Sequence, residues 1–232
     1  MRFKSGAGME ISMRNMKTIL VIGIGKFGHH LVNKLLSLGN EVMIVDINED
    51  HIRDMFSLVT SARVGDCTNP EVLKSIGLGN FDDVIICIGE NFQNSLEITS
   101  LVKELGAKRV ISMASRDIQA KFLLRNGADE VIYPDRDVAS NFAIKVSANH
   151  VFDYIELTSE YSIYEIPVID EWVGCTIRDA DVRARYNVNI IGIVSQGECN
   201  IMPAVDYVFN KDDHIQVLGR KEDIDMILSK IK

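Results

Sequence analysis

Short apolar runs alternate with amphipathic ones through the first half of the chain. Strands are expected at Thr18–Ile22, Glu41–Val45, Ser57–Val64, Asp83–Ile88, Arg109–Met113 and Glu130–Tyr133. Helices are expected between them, at Phe27–Ser37, Glu49–Met55, Pro70–Ser75, Asn94–Leu105 and Asp117–Arg125. Glycines follow three helical runs, at Gly39, Gly106 and Gly127, where a left-handed residue closes a helix without steric cost. Strands that are apolar throughout belong in a sheet covered on both faces. The alternation therefore predicts an α/β fold with a doubly wound parallel sheet.

The rhythm then breaks. Asp135–Leu157 contains neither proline nor glycine, and Val138, Phe142, Ile144, Val146, Val151 and Phe152 give it an apolar face. It reads as a long helix, or as a helix that bends and leads outward, and it buries that face against its own domain or a neighbouring subunit. Beyond it, "YSIYEIPV", "VNIIGIVSQGECNIMP" and "DDHIQVLGR" read as strands. "GCTIRDADVRARYN" and "KEDIDMILSKIK" read as helices, and "SQGECN" as a hairpin turn. The expected organisation is a leader at 1–16, a sheet domain at 17–136, a crossover helix at 137–153 and a small α+β domain at 154–232.

Composition adds limits. The chain has 232 residues, 47% hydrophobic, enough for a sizeable core. Asp plus Glu number 33 against 25 Lys plus Arg, a net charge of -8, which argues against a nucleic-acid polymer as partner. No apolar run reaches the roughly 20 residues of a membrane-spanning helix. The first sixteen residues carry no apolar stretch of a signal peptide and read as a disordered leader or upstream sequence. Cys67, Cys87, Cys175 and Cys199 lack C-x-x-C spacing and read as reduced thiols. The five histidines are scattered, without a zinc pattern.

The chemistry concentrates after the first strand, in Gly23-Ile24-Gly25-Lys26-Phe27-Gly28. Gly23 makes the tight turn, Gly25 removes the Cβ that would block a pyrophosphate, and Gly28 lets the helix pack against the sheet. The helix N-terminus then offers free N–H groups to phosphate. Asp46 ends the second strand, where a carboxylate accepts both ribose hydroxyls and repels a 2′-phosphate. The alternative is that it starts a turn or caps the next helix. Gly65, Asp66, Cys67 and Thr68 would line the adenine side; equally, Asp66 would bond the turn and Thr68 or Asn69 would cap the next helix. After the fourth strand Gly89 lets the backbone come close, and Glu90 and Asn91 edge the crevice, or the segment is a solvated loop that caps the helix from Asn94. No catalytic triad, nucleophile elbow or Walker lysine is present. The one histidine after residue 150 is His214, at the start of a strand, so an NAD-dependent oxidoreductase would lack an evident acid or base.

The segments "ILVIGIGKFGHHLVNKLLSLGNEVMIVDIN", "GDCTNPEVLKSIGL", "DDVIICIGENFQNSLEIT" and "LLRNGADEVIYPDRDVA" resemble the regulatory subunits of bacterial Trk/Ktr potassium uptake systems, which carry RCK (KTN) domains. The likeness continues through "YIELTSEYSIYEIPV", "VRARYNVNIIGI" and "DHIQVLGRKEDI", and so covers Met16 to the end. It implies a Rossmann-like RCK N-domain followed by a small α+β RCK C-domain. It also implies a cytoplasmic, peripheral, non-enzymatic subunit that gates a membrane potassium-translocating partner as a homo-oligomeric, octameric ring. The ligand implied is NAD(H) or ATP/ADP. It would be held by the six turn residues, Asp46 and Ile47, Asp66 to Thr68, and Ile88 to Glu90. Lys26 stands where ATP-binding members often carry arginine, and lysine lacks its planar fork. Met113 stands where a basic residue is common, with Arg116 near enough to replace it. Asp135 matches a region that in some members supplies a ligand to an inter-subunit cation. Ile177, Ile190 and Pro203 sit where some relatives bind cyclic di-AMP, or are core residues. Two readings of other classes stand beside this one: the oxidoreductase, and a ligand-sensing module acting through DNA or a soluble protein.

Overall fold

The computed structural model describes residues 16–147 and 151–230. The leader therefore lies outside the described residues, apart from Met16. The chain divides at Arg136/Asp137 into two compact units.

The first unit is built on six parallel strands: β1 (Thr18–Ile22), β2 (Glu41–Asp46), β3 (Ser61–Val64), β4 (Asp83–Ile86), β5 (Val110–Met113) and β6 (Glu130–Ile132). Their order is β3-β2-β1-β4-β5-β6. Alternate residues point to opposite faces of a strand. Ile19 and Val21 accordingly join Val42 and Ile44 under α1 (Lys26–Ser37), whose Val32 is fully buried. Leu20 and Ile22 join Val84 and Ile86 on the other face, with Leu73 of α2 (Pro70–Ile76) and Ile98 and Val102 of α3 (Phe92–Glu104). α4 (Asp117–Arg125) seats Ala120 and Leu123 in a satellite core with Ala114 and Ala128. The parallel, doubly wound expectation holds, and Gly39, Gly106 and Gly127 all take positive φ (82°, 90° and 112°).

The sequence expectations fail locally in two places in this unit. Glu49–Met55 is two 3₁₀ turns, Glu49–His51 and Arg53–Met55, with Asn48 capping the first. The third strand starts at Ser61, because residues 57–60 turn in to meet β2 through the Thr60 N–H and Val42 carbonyl.

The second unit carries α5 (Pro134–Ser147, which begins in the first unit) and five antiparallel strands. These are β7 (Asp153–Glu156), β8 (Tyr161–Pro167), β9 (Asn189–Ser195), β10 (Glu198–Asn200) and β11 (His214–Arg220), ordered β10-β9-β11-β8-β7. Helices α6 (Ile177–Ala180), α7 (Val182–Tyr186) and α8 (Lys221–Leu228) complete it. Trp172, Phe209, Ile166, Ile193, Ile215 and Ile224 fill its core. The single helix expected over Asp135–Leu157 is corrected here. Residues 153–156 form β7, which pairs with β8 from Asp153↔Glu165 to Glu156↔Ser162. Tyr154 and Ile155 satisfy their main chain on a sheet edge that a helix would have left bare. The helix expected across "GCTIRDADVRARYN" is broken at Asp181, whose φ is 43°. The hairpin expected at "SQGECN" is present, with Gln196 and Gly197 at φ 52° and 83°, the signature of a two-residue type I′ turn.

Candidate functional site

In a doubly wound sheet the strands on either side of the first crossover diverge, and the crevice opens at their C-terminal ends. Here β1 pairs with β2 on one side and β4 on the other. The turns after all three strands meet at that edge.

Three glycines in the turn after β1 have three different reasons. Gly23 sits at φ 91°, where a side chain is strained, and its N–H donates to the Val45 carbonyl (2.9 Å). A Cβ on Gly28 would lie 2.3 Å from the Gly23 carbonyl oxygen, so α1 can approach the turn only without one. Gly25 differs. Its φ of −67° suits any residue, and a Cβ there would meet no atom within 4 Å. Gly25 is the N-cap of α1, yet no side chain caps the helix. The first-turn N–H groups of α1 therefore face outward over a bare backbone. Lys26, the next residue, is exposed and has no ion pair among the described residues. Phe27 packs half-buried into the core beneath.

Asp46 is buried at the end of β2, and the turns converge on it. Its Oδ2 accepts the Ile24 N–H at 2.6 Å, which ties the glycine turn to the second strand. Its Oδ1 accepts the Asn48 N–H at 2.8 Å, and the His51 Nδ1 lies 3.3 Å from the same oxygen. Ile47 beside it is exposed. After β3, the Gly65 N–H donates to the Asp46 carbonyl (2.9 Å). Asp66 Oδ1 accepts both the N–H and the hydroxyl of Thr68, at 2.9 and 2.8 Å. Asn69, rather than Thr68, caps α2 through the Glu71 N–H. The Cys67 thiol is buried in the core, and burial, reinforced by the Asp66 charge, pushes it up to about 12. It is neutral and turned away from solvent, so Cys67 can offer a ligand its main chain but no thiolate.

After β4, Ile88 is half-buried, Glu90 is exposed and Asn91 caps α3 by accepting the Asn94 N–H (3.1 Å). A Cβ on Gly89 would stand 2.5 Å from the Met113 Cε. The thioether at the end of β5 thus lies directly against this glycine. Arg116 is exposed at the N-cap of α4, where Gln119 Oε1 accepts the Ser115 and Arg116 N–H groups at 3.0 and 3.2 Å. Asp135 is exposed in the first turn of α5. Its neighbour Arg136 pairs with Asp117 (2.9 Å) and stacks 3.5 Å above the Tyr133 ring. No three His, Cys, Asp or Glu side chains gather as a metal-ligand set among the described residues.

The turn residues, Asp46 with Ile47, Asp66 to Thr68 and Ile88 to Glu90 therefore share one sheet edge. Sequence reasoning missed His51 beside Asp46 and the Met113–Gly89 contact. Spacing alone cannot signal either, because each joins residues from separate elements. In the second unit, Ile177 and Ile190 pack partly buried against the core and Pro203 is half-buried on a loop. Among the described residues no helix is long and apolar enough to cross a membrane.

Comparison with known proteins places this geometry. The TrkA-N domain model matches residues 19–134, and the TrkA-C domain model residues 162–232. The Ktr system potassium uptake protein C of Bacillus subtilis (strain 168) is 39% identical over 208 residues, spanning 90% of this chain and 94% of that protein. The Ktr system potassium uptake protein A of the same organism is 35% identical over the same shares. A GsuK channel structure bound to NAD superposes with a TM-score of 0.62 at 19% identity, over 97% of this chain and 41% of that one. At that identity the likeness is one of fold.

Proposed function

We propose that this chain, which belongs to the TrkA-N/TrkA-C family of potassium uptake proteins, is a nucleotide-sensing regulatory subunit working with a membrane potassium-translocating partner. Its N-terminal sheet domain (17–136) binds an adenine nucleotide, either NAD(H) or ATP/ADP. The C-terminal domain and α5 take part in homo-oligomeric assembly, with a ring as the expected form. The subunit acts at the inner face of the membrane through its partner and makes or breaks no bond in the nucleotide.

Gly25 is the observation that carries this reading. The fold gives it neither a steric nor a conformational reason to be glycine, while Gly23 has a conformational one and Gly28 a steric one. A phosphate group closing on the bare α1 N-terminus supplies the missing reason. Asp46, two of whose acceptor positions the main chain already uses, has two left for a ribose diol. The relatives' names support potassium uptake as the setting, and the NAD-bound channel supports a dinucleotide as one candidate ligand. A cation at Asp135 would need ligands from a second subunit, and cyclic di-AMP at Ile177, Ile190 and Pro203 would need the same.

The test is calorimetry of the purified protein with NAD, NADH, ATP and ADP, with light scattering on the same samples. Binding of at least one nucleotide without turnover, by an oligomer, is expected. A folded protein that binds none of the four would overturn the reading, and reduction of bound NAD by a metabolite would replace it with the oxidoreductase.

A further inference from the structure

Asp46 presents about four acceptor positions on its two oxygens. The Ile24 and Asn48 main-chain N–H groups take one on each, at 2.6 and 2.8 Å, and both donors are fixed by the fold. A ribose diol needs the two that remain. Beside Oδ1 stands the Nδ1 of His51, at an ion-pair distance of 3.3 Å. The His51 side chain is about half exposed (47%) on a 3₁₀ turn, so it can swing clear where the two main-chain donors cannot.

From this juxtaposition we propose that His51 is a proton-controlled positioning residue of the ribose subsite: protonated, it holds Asp46 Oδ1 against the incoming diol, and neutral, it yields. The inference rests on the nucleotide reading given above. An imidazole is the side chain whose charge ordinarily changes between pH 5 and 8. The imidazolium carries a positive charge that attracts the carboxylate across this 3.3 Å, an attraction the neutral ring lacks. The neutral ring holds Oδ1 more weakly or, in its other tautomer, not at all. On this proposal a nucleotide that takes the Oδ1 position favours the neutral ring by linkage.

The charges around the imidazole favour this role. Glu49 and Asp50 lie in its own turn, and both are engaged by Arg53 of the following turn, at 3.8 and 2.9 Å. Asp54 in that turn is taken up by His29 of α1 (3.0 Å). On the β3 side, Arg63 and Asp66 lie close enough to act on the Cys67 thiol, as Asp46 does. Asp46 is thus the carboxylate that His51 itself contacts, and His29 is an imidazole with a different partner.

The experiment measures ADP affinity by calorimetry at pH 8.0 and 5.5 for the full-length protein, His51→Ala, His51→Asn and His29→Ala. The ratio of parent to variant Kd cancels the titration of the ligand's own phosphate. The two His51 variants should match the parent at pH 8.0 and bind about fivefold more tightly than it at pH 5.5. His29→Ala should follow the parent. For 2′,3′-dideoxy-ADP, which has no diol to compete, the ratio should not change with pH. Titrations at pH 6.5 in two buffers of different ionisation enthalpy should show proton release by the parent that both His51 variants lack. A parent-to-variant ratio independent of pH, with ADP still bound, would overturn the role of His51 and leave the nucleotide reading standing. Absence of ADP binding at pH 8.0 would overturn both.

Discussion

Replacing Gly25 with serine and Gly28 with alanine separates the two jobs of the glycine turn. At Gly25, φ is −67° and a new Cβ meets nothing within 4 Å. Serine is also the better N-cap, by a few tenths of a kcal/mol. The ligand-free variant should therefore melt at the parent temperature or slightly above it. At Gly28, the Cβ must clear a backbone carbonyl now 2.3 Å away, with the Cys87 Cβ 3.6 Å off on the other side. Overpacking of that kind costs about 1–3 kcal/mol. Alanine's helix preference returns up to about 1 kcal/mol. A 2.3 Å approach to backbone points to the upper end of that cost, so a net loss of about 2–3 kcal/mol should lower the melting temperature by roughly 4–12 °C. The assay is thermal unfolding with and without nucleotide. At a hundredfold excess over Kd, ligand stabilises the parent by about 2.7 kcal/mol. Gly25→Ser should lose that response while keeping its ligand-free melting point, because its hydroxymethyl group occupies the phosphate approach. Gly28→Ala should lose stability first. A Gly25→Ser protein that keeps the full nucleotide response would refute the assignment of that glycine to ligand approach, and a Gly28→Ala protein as stable as the parent would refute the packing argument.

Asp46→Asn presents an amide in place of a carboxylate to two main-chain donors, so stability should fall by about 1–3 kcal/mol and nucleotide affinity by tenfold or more, read by melting and calorimetry. Met113→Arg puts a cation beside Gly89 and should raise the preference for ATP over ADP; an unchanged ATP/ADP affinity ratio would place the terminal phosphate elsewhere. Burial alone would raise the Asp213 carboxyl, but hydrogen bonds from the Asn210 N–H (2.9 Å) and the Tyr207 hydroxyl (2.7 Å) outweigh it and hold the group below the ordinary value of 3.8. A depressed carboxylate contributes stability above its unfolded pKa and loses it as pH falls through the folded one. The second unit should therefore weaken below about pH 3.8, and Asp213→Asn should flatten that acid limb of the melting curve. Trp172→Ala empties the centre of the second core and should cost about 3–5 kcal/mol, while nucleotide binding by the first unit persists in calorimetry.

The parts legible in the sequence are those whose physics is local. The near-continuous apolar runs in "TILVI" and "VMIVD" come from strands covered on both faces, and they mark the strands' extent to within a residue. Gly39, Gly106 and Gly127 stop helices because the left-handed conformation is required at the point where the residue stands. What was misread depends on distant partners. Asp153–Glu156 carries an apolar face continuous with α5, and only pairing with β8 makes it a strand. The 3₁₀ turns at Glu49–His51 and Arg53–Met55 keep helical handedness, but Asn48 and the buried Ile52 and Met55 settle a tighter path over β2.

The alternatives left open at Asp46 and Asp66 are not rivals in the folded protein. Both carboxylates bond their own turns, as the structural readings expected. Asp66 uses only Oδ1 for Thr68, and its Oδ2 has no hydrogen-bond partner among the described residues. Asp46 spends one acceptor position per oxygen on main chain and keeps the rest. A carboxylate with four acceptor positions can therefore organise a turn and still receive a diol, whereas a serine or asparagine cap in its place would be largely used up. The same two N–H groups fix the Asp46 carboxylate at the sheet edge where Gly25 leaves the α1 N-terminus bare. Pre-organisation of this kind lowers the cost of ordering the site when a ligand arrives. It also leaves His51 as a half-exposed side chain beside the fixed carboxylate.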